Sequence, residues 1–140
     1  MREFERVRAA GIRGGTSKGV YLLANELPKD PAVRDRVILS IFGSPDPRQI
    51  NGLGGADPLT SKVAIIAPSR REDADVDYTF GYVGIEKAVV DYEGNCGNIS
   101  QGVGPFAVDE GLVPVTEPIT RVRIFNTNPH KIVEAEVPVK

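Results

Sequence analysis

The segment GNCGNISQGVGPFAVDEG, residues 94–111, decides the fold because it places a helical pattern between strand-like segments. From Asn98 to Glu110 the pattern predicts a helix, and Gly111 ends it. Pro105 lies inside this stretch and should kink the helix or split it into two pieces. Strand-like patterns before and after the segment indicate an α+β fold.

A second helix is predicted from Pro31 to Phe42, capped by Asp30 and ended by Gly43. Alternating or continuous apolar runs predict seven strands, which are Glu3–Ile12, Val20–Ala24, Lys62–Ala67, Val76–Tyr82, Glu86–Tyr92, Thr120–Phe125 and Lys131–Val139. The expected sheet is mixed and mostly antiparallel. The first two strands should form a hairpin with a long loop from Arg13 to Gly19, and Ser44–Pro58 should be a second long loop.

Composition excludes several classes of protein. The chain has 140 residues, the size of one ordinary domain, and no apolar run long enough to span a membrane. Its formal net charge of −2 provides no basic field for nucleic acid. A single cysteine allows no internal disulfide, and with a single histidine it allows no structural zinc site. The start lacks a signal-peptide pattern, so a cytoplasmic location is expected. The abrupt end on a strand-like segment suggests part of a longer protein.

One candidate functional segment is Asn95-Cys96-Gly97-Asn98, at the junction between a strand-like segment and the helix predicted from Asn98 to Glu110. Free N–H groups at a helix N-terminus stabilise a thiolate and attract a substrate carboxylate. The glycine allows a ligand close approach, and the two asparagines offer donors and acceptors. The alternative is that Cys96 is a small buried hydrophobic residue. The sequence alone leaves both interpretations open.

A second candidate is NGLGGADPLTSK, residues 51–62, in which Ser61 and Lys62 lead from a glycine-rich loop into an apolar strand. A lysine at such an edge loses part of its hydration and can serve as a general base. Alternatively, its stem packs on the core while its ammonium reaches water. The loop does not complete a GxGxxG pattern and no strand precedes it, which argues against dinucleotide binding.

The third candidate is RGGTSKG, residues 13–19, which clusters Arg13, Lys18, two hydroxyls and three glycines. This composition suits a cradle for a carboxylate or phosphate. It is not a P-loop, because Lys18 follows Thr16 and Ser17 instead of preceding them. The alternative is a plain hairpin turn.

Four segments taken together resemble the PrpF family of cofactor-independent double-bond isomerases. They are GIRGGTSKGVYL (11–22), INGLGGADPLTSKVAII (50–66), GNCGNISQGVGPFAVDEGLV (94–113) and RVRIFNTN (121–128). The resemblance covers nearly the whole chain and implies the fold of diaminopimelate epimerase. That fold has two similar α+β domains, each with a helix enclosed by a curved mixed sheet, and the active site lies between them. Residues 1–140 would be the N-terminal domain, and the second domain would lie outside this chain.

The same resemblance implies roles for individual residues. Lys62 matches the family's catalytic lysine, and Cys96 matches its active-site cysteine. The substrate pocket would be lined by Ser17, Ser61, Asn95, Gly97 and Asn98, with Arg13 and Lys18 as further carboxylate contacts if they reach it. Pro129-His130 departs from the polar residue and glycine expected after Asn128.

The implied activity is a 1,3-allylic double-bond shift in small unsaturated di- or tricarboxylic acids, without metal or organic cofactor. The expected partner is a small carboxylate substrate, with a homodimer and pairing with a dehydratase as further possibilities. Two alternatives remain. A thiol-based epimerase or racemase on the same fold would need a second cysteine facing Cys96. A non-catalytic accessory or binding protein would merely stabilise a partner enzyme.

Overall fold

A mixed sheet of seven strands carries helices on both faces in the computed structural model, which describes residues 6–140. The strands are β1 (Ala9–Gly14), β2 (Ser17–Leu23), β3 (Lys62–Pro68), β4 (Val76–Val83), β5 (Val90–Asp91), β6 (Ile119–Asn126) and β7 (Lys131–Pro138). The helices are α1 (Pro31–Phe42), α2 (Gly97–Ser100) and α3 (Val103–Asp109), with short 3-10 turns at Ala24–Glu26 and Pro58–Thr60.

The strand order along the sheet is β1-β2-β3-β4-β6-β7, and β5 pairs with β4 beyond the part that pairs with β6. Four pairs are antiparallel, whereas β2–β3 and β4–β6 are parallel. The predicted α+β class and the mixed, mostly antiparallel sheet are therefore confirmed. The parallel pair β2–β3 places the first residues of both strands at the same end of the sheet.

Two hydrophobic clusters lie on opposite faces of this sheet because side chains alternate along each strand. We call the face that carries α2 and α3 the inner face and the face that carries α1 the outer face. In β2, Tyr21 and Leu23 point to the inner face, whereas Val20 and Leu22 point to the outer face. In β3 the even-numbered residues face inward, which places Lys62 on the inner face with Ala64 and Ile66.

The helix predicted at Pro31–Phe42 is confirmed at both ends. The Asp30 carboxylate accepts a hydrogen bond of 3.1 Å from the backbone N–H of Ala32, and Gly43 has the left-handed φ of 77°. Among residues 6–140, α1 is the longest helix with 12 residues, and none of the helices has the length and apolar character needed to cross a membrane.

The helix predicted from Asn98 to Glu110 is split into two pieces, α2 and α3, but the position predicted for the break is wrong. The break falls at Gln101-Gly102, not at Pro105. A side chain at position 102 would overlap the Tyr21 hydroxyl, so the break lies where the chain passes closest to β2. Pro105 lies in the first turn of α3, where its missing N–H leaves no helical hydrogen bond unmade.

Three further predictions need correction. The loop expected from Arg13 to Gly19 is instead a tight turn at Gly15-Thr16, since β1 and β2 pair up to Gly14 and Ser17. The strand predicted at Glu86–Tyr92 is reduced to Val90–Asp91. The first strand begins at Ala9, and the part of its predicted range before Arg6 lies outside the described residues.

Phe106 of α3 tests how much the inner cluster contributes to stability. Its ring is 3% exposed and lies 5.8 Å from the Tyr21 ring between centroids. We expect Phe106→Ala to lower the free energy of unfolding by about 3–5 kcal/mol, through lost burial and the cavity left behind. Urea denaturation measures this change. Val115→Ala is the control, because that side chain is 53% exposed and its truncation should cost within about 0.5 kcal/mol. Equal costs would contradict the assignment of the core.

Candidate active site

The contact between Lys62 and Cys96 is the centre of the candidate site. Lys62 is the first residue of β3, and its Nζ lies 3.4 Å from the Cys96 sulfur. The same Nζ donates a hydrogen bond of 2.8 Å to the hydroxyl of Ser17, the first residue of β2. Because β2 and β3 are parallel, their N-terminal ends bring Ser17 and Lys62 together at one end of the inner face. The two proposed catalytic residues are therefore direct neighbours.

Cys96 immediately precedes α2 and serves as its N-cap. Its sulfur accepts a hydrogen bond of 3.5 Å from the backbone N–H of Ile99, and the residue is 7% exposed. A cysteine buried only as a small hydrophobic residue would not have both a lysine ammonium and a backbone N–H directed at its sulfur. The geometry therefore favours the functional interpretation of this thiol.

Opposing effects set the pKa of the Cys96 thiol. Burial raises it, but the hydrogen bonds from the Ile99 backbone and from Lys62, with the positive charge of Lys62, lower it more. The net result is a pKa below the ordinary value of a cysteine. A lowered pKa increases the fraction of thiolate, the form that accepts protons and reacts with alkylating agents.

Tyr21 holds α2 against the sheet. Its hydroxyl donates a hydrogen bond to the backbone carbonyl of Ile99, the residue whose N–H contacts the Cys96 sulfur. Burial raises the pKa of Tyr21 well above its ordinary value, so the hydroxyl stays protonated and remains a donor. Sequence reasoning did not identify Tyr21. A lone tyrosine in an otherwise apolar strand is a signal for a buried hydroxyl with a partner.

The hairpin turn also contacts α2. A Cβ at Gly14 would overlap the backbone carbonyl of Asn98, so only glycine allows this close approach. The Asn98 amide donates a hydrogen bond of 3.1 Å to the Thr16 hydroxyl in the same turn. The RGGTSKG segment therefore has a structural task, since its turn positions the helix that follows Cys96.

Two asparagines from the RVRIFNTN segment support the approach to Cys96. The Asn126 amide donates a hydrogen bond of 3.0 Å to the side-chain oxygen of Asn95. Asn128 accepts from the backbone N–H of Phe80 at 3.0 Å and donates to the carbonyls of Phe80 and Tyr92. These bonds tie β4, the connection before α2 and the end of β6 together.

The structure does not bring Ser61 to the Lys62–Cys96 pair. Its side chain is fully buried, and its hydroxyl donates a hydrogen bond of 2.6 Å to the carbonyl of Val83. The same oxygen accepts a bond of 3.0 Å from the Gln49 amide. Ser61 therefore holds the start of β3, although the resemblance had implied a place in the pocket lining.

Arg13 and Lys18 also lie away from the pair. Because side chains alternate along β2, Lys18 lies on the other face of the sheet from Ser17. On that outer face it lines a cavity with Val20 and Leu53. Arg13 is the register partner of Lys18 in β1, is exposed, and donates a bond of 3.0 Å to the carbonyl of Gly15. Neither cation is placed to meet a ligand at Cys96. In residues 6–140 no group of three or more His, Cys, Asp or Glu side chains is arranged to hold a metal ion.

Comparison with known proteins identifies the family. The family model described as PrpF protein matches residues 4–140. The chain belongs to the PrpF family. It is 62% identical over 140 residues to a 3-methylitaconate isomerase from Eubacterium barkeri, covering 100% of this chain and 37% of that protein. It is 56% identical over 133 residues to a 4-oxalomesaconate tautomerase from Pseudomonas putida, covering 95% of this chain and 37% of that one.

Solved structures confirm the predicted fold family. A methylitaconate-delta-isomerase superposes with a TM-score of 0.93 at 63% identity, covering 96% of this chain and 35% of that one. A hydroxyproline epimerase from Agrobacterium vitis superposes with a TM-score of 0.61 at 16% identity, covering 94% of this chain and 37% of that one. The second likeness shows the epimerase-type fold alone. This PrpF chain spans a little over a third of the length of the curated relatives it matches.

The effect of Lys62 on the Cys96 thiol can be measured directly. Replacing the ammonium in Lys62→Met removes one cause of the lowered pKa, so the pKa rises and the thiolate fraction at neutral pH falls. We expect alkylation of Cys96 by iodoacetamide at pH 7 to slow by about three- to tenfold, with the midpoint of the pH profile moving upward.

Lys18→Met is the matched control for this measurement. It removes the same charge from a strand neighbouring β3, but from the outer face, and should leave the profile of Cys96 unchanged. An unchanged profile in Lys62→Met would show that the ammonium does not act on the sulfur.

Proposed function

We propose that this chain is the N-terminal domain of a two-domain, cofactor-independent isomerase that shifts a double bond in a small unsaturated di- or tricarboxylic acid. The observation that carries the proposal is the 3.4 Å contact between Lys62 Nζ and the Cys96 sulfur. Support for the substrate class comes from the relatives, whose names refer to methylitaconate and oxalomesaconate. The proposal extends to a cytoplasmic location, which suits a single free thiol in a reducing compartment.

The pair can complete a cycle of proton transfers. In the amine–thiol form of the pair, Lys62 takes a proton from an activated C–H bond and becomes an ammonium, which leaves a dienolate on the substrate. The Cys96 thiol returns a proton to the far allylic carbon and becomes a thiolate. The proton then passes from Nζ to the sulfur across their contact, and both groups regain their starting forms. The ammonium–thiolate tautomer holds the same number of protons and supports this cycle with the two roles exchanged.

Polar groups beside the pair would hold the substrate carboxylates and the developing enolate charge. The Ser17 hydroxyl accepts from Lys62 through its oxygen, so its own proton is directed elsewhere and can serve a ligand. Because Asn126 donates to the side-chain oxygen of Asn95, the nitrogen of that exposed amide is the end offered as a donor. Gly97 and Asn98 contribute the first backbone positions of α2. Donors fixed in advance at developing charge are an effective means of catalysis.

Proton exchange tests this proposal in the intact natural protein that contains this chain. Methylitaconate, 4-oxalomesaconate and trans-aconitate are incubated in D₂O and followed by proton NMR. We expect deuterium to enter an allylic position of at least one acid, and we expect Lys62→Ala and Cys96→Ala each to slow this exchange by about 10²-fold or more. Lys18→Ala should exchange at the wild-type rate.

Each alternative predicts a different result. Full exchange in Lys62→Ala would refute its role in proton transfer. An epimerase would exchange hydrogen at a stereocentre without moving a double bond. Protection of Cys96 from alkylation by these acids, without exchange in the wild-type protein, would favour an accessory or binding role. A homodimer and pairing with a dehydratase stay predictions from the family resemblance.

A further inference from the structure

Gln49 is a buried polar residue to which the proposed mechanism gives no task. It is 1% exposed, it lies in the loop after α1, and its backbone has the left-handed φ of 45°. A buried amide is costly unless its donors and acceptor have partners. The nitrogen and the oxygen of this amide each have at least one hydrogen-bond partner, and those partners come from three separate points of the chain.

The amide connects the end of α1, the glycine-rich loop and the start of β3. Its nitrogen donates hydrogen bonds of 3.0 Å to the hydroxyl of Ser44 and of 3.0 Å to the hydroxyl of Ser61. Its oxygen accepts a bond of 2.7 Å from the backbone N–H of Ala56. A Cβ at Gly54 would overlap this amide, so glycine at position 54 leaves the space that the Gln49 side chain occupies. The loop is therefore folded around Gln49.

Ser61 transmits this arrangement to the candidate site. Its hydroxyl donates to the carbonyl of Val83 at 2.6 Å, and its own carbonyl accepts from the Val83 N–H at 2.9 Å. Ser61 directly precedes Lys62, which begins β3 and has no earlier residue of that strand to hold it. Lys62 pairs with Gly19 of β2 and Tyr82 of β4, and the bonds of Ser61 continue the β3–β4 pairing by one residue. They therefore add to what fixes the Lys62 backbone and the reach of its ammonium.

We propose that Gln49 is a positioning residue whose amide, acting through Ser61, holds the start of β3 so that Lys62 Nζ stays in contact with the Cys96 sulfur. The effect of Gln49 on turnover rests on the proposed function, whereas the effect of Gln49 on the Lys62–Cys96 contact does not. Loss of the amide lets Lys62 move away from the sulfur. Proton transfer then slows because the pair is misplaced, while groups such as Asn95 still bind substrate.

The test compares three variants of the intact natural protein by the pH profile of Cys96 alkylation, resolved by peptide mass spectrometry and scaled to its high-pH plateau. Gln49→Met keeps the length of the side chain and removes every hydrogen bond of the amide. Ser61→Ala is a milder second variant that removes the connecting hydroxyl. Ser44→Ala is the matched control, since it removes a bond of the same type and length from the same amide nitrogen, but to a hydroxyl that does not precede Lys62.

We expect the midpoint of the Cys96 alkylation profile to move to higher pH in Gln49→Met and in Ser61→Ala, with alkylation at pH 7 slowed by about threefold. The midpoint should stay unchanged in Ser44→Ala. Where an isomerase assay is positive, kcat should fall while KM stays near the wild-type value. Circular dichroism and the unfolding midpoint report which variants are folded, and Ser61→Ala decides the matter if Gln49→Met does not fold.

Two results would overturn the proposal. One is an unchanged alkylation profile of Cys96 in a folded Ser61→Ala protein. If KM alone changes in that variant, Ser61 contacts the substrate and does not position Lys62. The other is an equal shift in Ser44→Ala, which would indicate general loosening of the loop. Neither result depends on finding the substrate. Failure of deuterium exchange in the wild-type protein would refute the proposed function and leave this comparison intact.

Discussion

The parallel pairing of β2 with β3 is the constraint on which the candidate site depends. It brings the first residues of two strands that are distant in sequence to one end of the sheet, where Ser17 and Lys62 form a hydrogen bond of 2.8 Å. Strand alternation then places both side chains on the inner face, where α2 presents Cys96. A shift of one residue in this register would move Lys62 to the outer face and remove the contact with sulfur.

Buried polar groups around the site mainly hold backbone in place. Tyr21 fixes the carbonyl of Ile99, Asn128 bonds the Tyr92 carbonyl in the connection before α2, and Gln49 fixes the loop before β3. The bonds of Tyr21 and Asn128 join segments that are far apart in sequence, and the bond of Gln49 closes the loop that leads into β3. Each restricts one of the elements that carry Lys62 or Cys96. A proton-transfer pair needs its two atoms at a defined separation, and small displacements reduce its rate strongly. The site is thus held by hydrogen bonds from three directions.

Local signals in the sequence predicted the elements that depend on local physics. The cap at Asp30 and the glycine at position 43 set the ends of α1, and both ends were predicted correctly. The position of the break between α2 and α3 was not predictable, because the Tyr21 hydroxyl next to Gly102 comes from a distant strand. The same limit applies to site residues. Glycine context and family resemblance singled out Lys62 and Cys96, whose roles stay predictions, but only strand register shows that Lys18 faces away and Ser61 is enclosed.

The separation between Lys62 and Cys96 also bears on the type of reaction. Two atoms 3.4 Å apart leave no room for a carbon between them, so both groups meet a bound acid from the same side. Inversion at a stereocentre by two acid–base groups requires them on opposite faces of one carbon. An allylic shift does not need opposite faces, because the proton can leave one carbon and return to another two positions further along on the same face. Adjacent groups that share a proton fit the second geometry, which supports the proposed double-bond shift, whereas an epimerase would need a further group that faces Cys96 from outside this pair.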